Sequence, residues 1–156
     1  MWGRPRSWQP GRWPERTTRP RVLLEDPDGA ILTTGEQFLQ RQGFDVAACL
    51  GPQQMGHRRC PLTTGGRCQL AEDADVVYSS LSWSDPNSRE VLVALRAEYP
   101  RTPVVVEILA RDVEGLRADL DGCHLAASPT RRATMVTAIR SALLSPTSSD
   151  SDRATA

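Results

Sequence analysis

The chain has 156 residues, enough for one domain with a full hydrophobic core and too few for two large ones. All 19 basic residues are arginine, which excludes any mechanism that needs a catalytic or phosphate-binding lysine. The formal charge of zero hides a segregation: residues 1–21 carry six arginines against Glu15, residues 22–144 carry 12 arginines against 16 acids, and the tail from Ser145 is slightly acidic. A folded part with that balance offers no strongly basic surface and argues against nucleic-acid binding there.

No run approaches the ~18 apolar residues that a membrane span needs. The N-terminus holds arginines and tryptophans but no apolar core of a secretory signal, so the cytoplasm is the expected compartment. Four cysteines without an export signal read as reduced thiols or metal ligands rather than as a disulfide framework.

Residues 1–20 combine four prolines, five arginines and Trp2, Trp8 and Trp13 without helical or strand periodicity, and are expected to be a disordered arm. Such an arm is either a plain unstructured extension or a grip on single-stranded nucleic acid through phosphate contacts and base stacking. Val22-Leu23-Leu24 is a short apolar run closed by Glu25-Asp26-Pro27-Asp28. A helix with Ile31, Leu32, Phe38 and Leu39 inward follows, and Gly43 suits its C-terminal stop. Phe44 to Cys49 predicts a second strand and Ala74 to Leu81 a third. Between them, Leu50 to Asp73 is irregular, with glycines, two prolines, His57, Cys60 and Cys68.

Asp85-Pro86 predicts an N-cap with proline in the first helical turn, and the helix runs through Val91, Leu92 and Leu95 to Tyr99, where Pro100 stops it. Val104-Val105-Val106 is a continuous β-branched run of the kind buried on both faces of a parallel sheet. A short helix around Val113 to Leu120 and a strand near Cys123 to Ala127 come next. Ser128-Pro129 is expected to cap a last helix with Met135, Val136, Ile139 and Leu143 on one stripe, and Ser145 to Ala156 is a Ser/Thr/Asp-rich tail expected to be disordered. Five strands alternating with helices predict a doubly wound α/β domain over residues 21–144, a five-stranded parallel sheet in the order 2-1-3-4-5.

Beside the strand order, four landmarks occur in sequence: Glu25-Asp26 after the first strand, Ala74-Asp75 opening the third, Thr102-Pro103 opening the fourth, and Ser128-Pro129 after the fifth. In this the chain resembles the response-regulator receiver family, of flavodoxin-like fold. The resemblance implies that Glu25 and Asp26 match the acidic pair that helps bind Mg²⁺. It also implies that Ser80 stands at the phosphoacceptor aspartate, Ile108 at the small hydroxyl residue and Ser128 at the lysine. Each replacement removes a chemical function: the nucleophile, the hydroxyl that follows the phosphoryl oxygen, and the cation that balances it. Mg²⁺ requires near-octahedral oxygen coordination, so loss of the third carboxylate removes a main ligand. Glu25, Asp26 and Asp28 are either a weak Mg²⁺ site or a solvated loop that caps the first helix.

Cys49, Cys60 and Cys68 are spaced C-x10-C-x7-C with His57 close by, a set chemically suited to zinc but matching no paired knuckle. The alternatives are a redox pair or plain buried and loop thiols. Cys60 to Arg67 encloses six residues, one too many for a cysteine-phosphatase loop, whose anion cradle depends on that geometry. There is no GxGxxG, no Walker loop and no GxSxG, so an enzyme is not expected.

Two readings of function follow. The first is a receiver-like module that takes up no phosphate, needs no cofactor and acts on a protein partner or by homodimerisation. By the resemblance, its contact face would be built from the last two helices and last strand and would include Arg131, Arg132 and Arg140. The second is a thiol-based metal or redox sensor centred on Cys49, Cys60 and Cys68.

Overall fold

Strands β1 (Arg21–Glu25), β2 (Asp45–Cys49), β3 (Val76–Ser79), β4 (Val104–Leu109) and β5 (His124–Ser128) form one parallel sheet in the order β2-β1-β3-β4-β5. The computed structural model describes residues 11–52, 60–128 and 130–145. The expected doubly wound topology is the observed one. Its cause is legible in β1, where all five residues are buried and alternate sides send Val22 and Leu24 to one face of the sheet and Leu23 to the other.

Helices α1 (Gly29–Arg41) and α5 (Arg132–Leu144) cover the first face, packing Leu32, Leu39, Val136 and Ile139 against Val46, Val76 and Val105. The second face is covered by α2 (Gln69–Glu72), α3 (Pro86–Glu98) and α4 (Val113–Leu116), with Leu92 and Leu95 of α3 over Leu23, Val77 and Val106. Burying each such leucine or isoleucine contributes roughly 1.5–3 kcal/mol, which is how a chain with few aromatics holds its two layers.

Local signals fall where residue chemistry puts them. Asp28 caps α1 by accepting from the Ala30 and Ile31 N–H groups at 2.8 and 3.2 Å. Asp85 caps α3 through the Ser88 N–H at 2.8 Å, with Pro86 as the first helical residue. Gly43, at φ +94°, ends α1 in the left-handed region that a side chain would resist. The expectation for α5 is corrected: Ser128 is the last residue of β5, Arg131 precedes the helix, and no side chain caps its start. Pro129 lies outside the described residues.

The arm expected to be disordered is also corrected over residues 11–20. β2 is an edge strand; its Cys49 carbonyl serves β1 through Asp26, which leaves the Ala48 carbonyl on the open side. The Gly11 N–H satisfies it at 2.7 Å. Trp13 packs against the second-face core, donates its indole N–H to the Leu70 carbonyl at 3.2 Å, and lies 5.0 Å from the Arg21 guanidinium. Thr17 anchors to the Asp45 carboxylate through both its N–H and its hydroxyl. An unpaired sheet edge and an exposed indole are both costly, and docking the arm on β2 relieves the two together.

Candidate functional site

Ligands of open parallel α/β sheets sit at the carboxyl edge of the strands, and here a cleft of about 1100 Å³ opens at that edge. Asp26, Ser80, Glu107, Ser128 and Thr130 line it, with Trp83 at its side. The pairing of Ser79 with Val106 fixes what meets inside, because the next residues on the two strands, Ser80 and Glu107, then stand side by side.

Glu107 is the centre of the arrangement. One of its oxygens accepts from the Ser80 hydroxyl at 2.8 Å and from the Tyr78 hydroxyl at 3.2 Å, and the other accepts from the Thr130 N–H at 3.3 Å. Tyr78 and Ser80 are two residues apart on β3 and so point the same way. Burial, followed by the nearby Glu107 charge, raises the Tyr78 phenol and keeps it a donor. Asp26 is raised by burial and by the charges of Asp28 and Glu107, although the Asp28 N–H bonded to it at 2.8 Å works the other way. Four carboxyl residues (Asp26, Glu107, Asp112 and Asp119) against two arginines (Arg89 and Arg111) line the cleft, so a phosphoryl group entering it would meet more acids than cations.

Ile108, expected at the hydroxyl position, lines the cleft while its side chain is buried in the core of the opposite face, and strand alternation puts Glu107 beside Ser80. Ser128 does line the cleft, at the end of β5. The acidic pair is divided. Asp26 lines the cleft, whereas Glu25 shares the other face with its register partners Cys49 and Ser79. Burial pushes Glu25 up to about 7, the Ser79 hydroxyl opposes this, and Oε2 of Glu25 has no hydrogen-bond partner. Glu25 and Asp26 thus do not converge on one cation, and Asp28 is occupied as the cap of α1.

Cys49, Cys60 and Cys68 gather against the second-face core. Burial is the first cause raising each thiol, with Cys49 pushed up to about 12, and the Glu25 charge adds to all three. Among the described residues no group of three or more His, Cys, Asp or Glu side chains is placed to hold a metal ion. His57, the expected fourth zinc ligand, lies outside the described residues. The four cysteines are free thiols.

Of the arginines expected on a contact face, Arg132 lies 5.4 Å from the Phe38 ring and Arg140 5.8 Å from the Phe44 ring. Arg140 also donates to the Gln42 carbonyl at 3.4 Å, so Arg132 reaches α1 and Arg140 the turn that follows it. Glu107 and Thr130 were not singled out by sequence reasoning. The one signal for Glu107 was a lone acid inside the otherwise apolar run Val104–Leu109.

No family model and no curated protein matches the sequence. The fold does match solved structures. A response regulator receiver domain protein from Clostridium thermocellum has a TM-score of 0.60 at 17% identity, over 80% of this chain and 94% of that one. A chemotaxis response regulator of Vibrio cholerae has a TM-score of 0.59 at 17% identity, over 80% of this chain and 99% of that one. An adenylate cyclase from Rhodopirellula baltica has a TM-score of 0.59 at 15% identity, over 80% of this chain and 87% of that one. The fold is the CheY-like, flavodoxin-like one. Among the described residues, no helix is long and apolar enough to cross a membrane.

Proposed function

We propose that this chain is a receiver-like signalling module that works through protein contact and takes up no phosphate. The observation that carries the reading is the bond from the Ser80 hydroxyl to the Glu107 carboxylate. In this reading the acceptor position holds a serine whose hydroxyl is spent on a neighbouring anion. A serine cannot form the acyl phosphate that an aspartate forms. Acids outnumber arginines four to two in the lining of the cleft, which disfavours an incoming phosphodonor, and no lysine exists to balance it. The receiver-like fold supports signalling over catalysis, and fold alone licenses no activity. The surface available for contact includes Ile31 and Leu109, which are 54% and 46% exposed at the mouth of the cleft.

The thiol-sensor reading has one observation in its favour, the gathering of Cys49, Cys60 and Cys68 beside Glu25. Burial weighs against it, because raised thiols are poor nucleophiles and poor ligands at neutral pH. The test of the main reading is intact-mass analysis after incubation with acetyl phosphate and Mg²⁺. Unmodified protein is expected. A stable phosphoryl adduct on the wild type that Ser80→Ala abolishes would overturn the reading.

A further inference from the structure

We propose that the opposite, amino-terminal edge of the sheet carries a binding site for a phosphate monoester dianion, built by Arg16, Arg19 and Arg101. The three arginines line one cleft of about 740 Å³, together with Thr17, Asp75 and Ser145. They come from distant parts of the chain: Arg16 and Arg19 precede β1, and Arg101 sits in the turn before β4. None of the three guanidinium groups has an ion-pair or hydrogen-bond partner among the described residues.

The charge of the cleft sets the ligand. Asp75 is the one carboxylate in its lining, and one of that residue's oxygens already accepts from the Arg21 N–H at 2.8 Å. Three cations against one anion match a group carrying two negative charges, and a phosphate monoester carries about −1.5 to −2 near pH 7. The planar fork of arginine suits phosphate oxygens better than an ammonium would. The segment that carries Arg16 and Arg19 is held in place before any ligand arrives. Thr17 bonds Asp45 twice, and its hydroxyl oxygen accepts from the Arg19 N–H at 3.0 Å. Such preorganisation reduces the ordering cost of binding.

Two opposing features are weaker. Helix α5 ends at this cleft, and its terminal carbonyls disfavour an anion, but the Ser145 N–H caps the carbonyls of Ser141 and Ala142. A single-stranded nucleic acid would also meet the arginines, yet it needs a stacking platform, and Trp13 is committed to Leu70 and Arg21. The carboxyl-edge cleft has four acids against two arginines, the opposite balance to the three arginines and one acid here.

The test is a titration of the full chain with inorganic phosphate and with phosphoserine, followed by amide NMR at constant pH. Saturable shifts are expected at Thr17, Thr18 and Arg101, weakening as sodium chloride is raised. Arg16→Gln and Arg101→Gln should each weaken binding roughly tenfold, the loss of one charge-assisted contact, while Arg111→Gln, in the other cleft, should leave it unchanged. The proposal fails if no shift saturates, or if the Arg16 and Arg101 variants bind as the wild type does. It also fails if oligodeoxythymidine binds with strength that grows with length while phosphate does not bind.

Discussion

Ser80 and Glu107 meet across the β3–β4 pair at 2.8 Å, a serine hydroxyl and a carboxylate at the edge where the sheet opens to solvent. The contact is local in space and 27 residues apart in the chain. It makes the carboxylate a structural hub, because Tyr78 and Thr130 donate to it as well.

Removing that hub leaves donors unpaired in a partly buried place. Glu107→Ala should lower unfolding stability by about 1–3 kcal/mol, the cost of orphaning the Tyr78 and Ser80 hydroxyls. Glu107→Gln keeps an acceptor oxygen and should cost less than half as much. Urea unfolding of the two variants checks the order, and equal losses would show that the bonds to Glu107 contribute nothing.

Ser80→Asp alone should not restore phosphate uptake. The introduced carboxylate would face Glu107 with no cation between them, so the variant should be less stable above pH 5 and remain unmodified by acetyl phosphate. Phosphorylation of the single variant in intact-mass analysis would show that the excess of acids in the cleft is no barrier.

Glu25 should make stability fall as pH rises. Its ordinary value of 4.5 applies to the unfolded chain, and burial lifts it to about 7 in the fold. Between these values the folded state holds a proton that the unfolded state has lost, so stability declines across that window and levels off above it. The size is about 3 kcal/mol, from the shift at about 1.36 kcal/mol per unit. Asp26 is shifted the same way, so the comparison is wild type against Glu25→Gln in the same buffers. The Glu25 variant should lose most of the slope between pH 5 and 7; an unchanged slope would assign it elsewhere.

The thiols should be slow to react in the native protein. Cys49 is held highest by burial, and Cys60, Cys68 and Cys123 are raised for the same first reason. Alkylation at pH 7.5 should be much slower than in guanidinium, with Cys49 slowest by peptide mapping. Fast native labelling of Cys60 and Cys68, or near-stoichiometric zinc in anaerobically purified protein, would favour the sensor reading.

Trp13→Ala should loosen the docked arm without unfolding the sheet. It removes the indole bond to Leu70 and the stacking of Arg21, and should cost about 1–3 kcal/mol. Hydrogen exchange at Gly11 and Thr17 should quicken while that of Val77 and Val105 does not. Uniform loss of protection would make the arm part of the global core.

The sheet was readable from the sequence because its strands are apolar β-branched runs whose burial on both faces leaves a continuous signal, as in Val104-Val105-Val106. The capping of α1 and α3 was readable for a similar reason: Asp28 and Asp85 act on N–H groups two or three residues away. What sequence order could not decide were the contacts made across it. Which residue of β4 faces Ser80 depends on strand alternation, and moving the choice by one residue from Ile108 to Glu107 exchanges a buried hydrocarbon for an anion. The separation of Glu25 from Asp26 has the same cause, since adjacent residues at a strand end turn to opposite faces. Only the tertiary structure brings the arm back to the sheet, where Ala48 and Leu70 offer open carbonyls and where Arg16 and Arg19 reach the same cleft as Arg101.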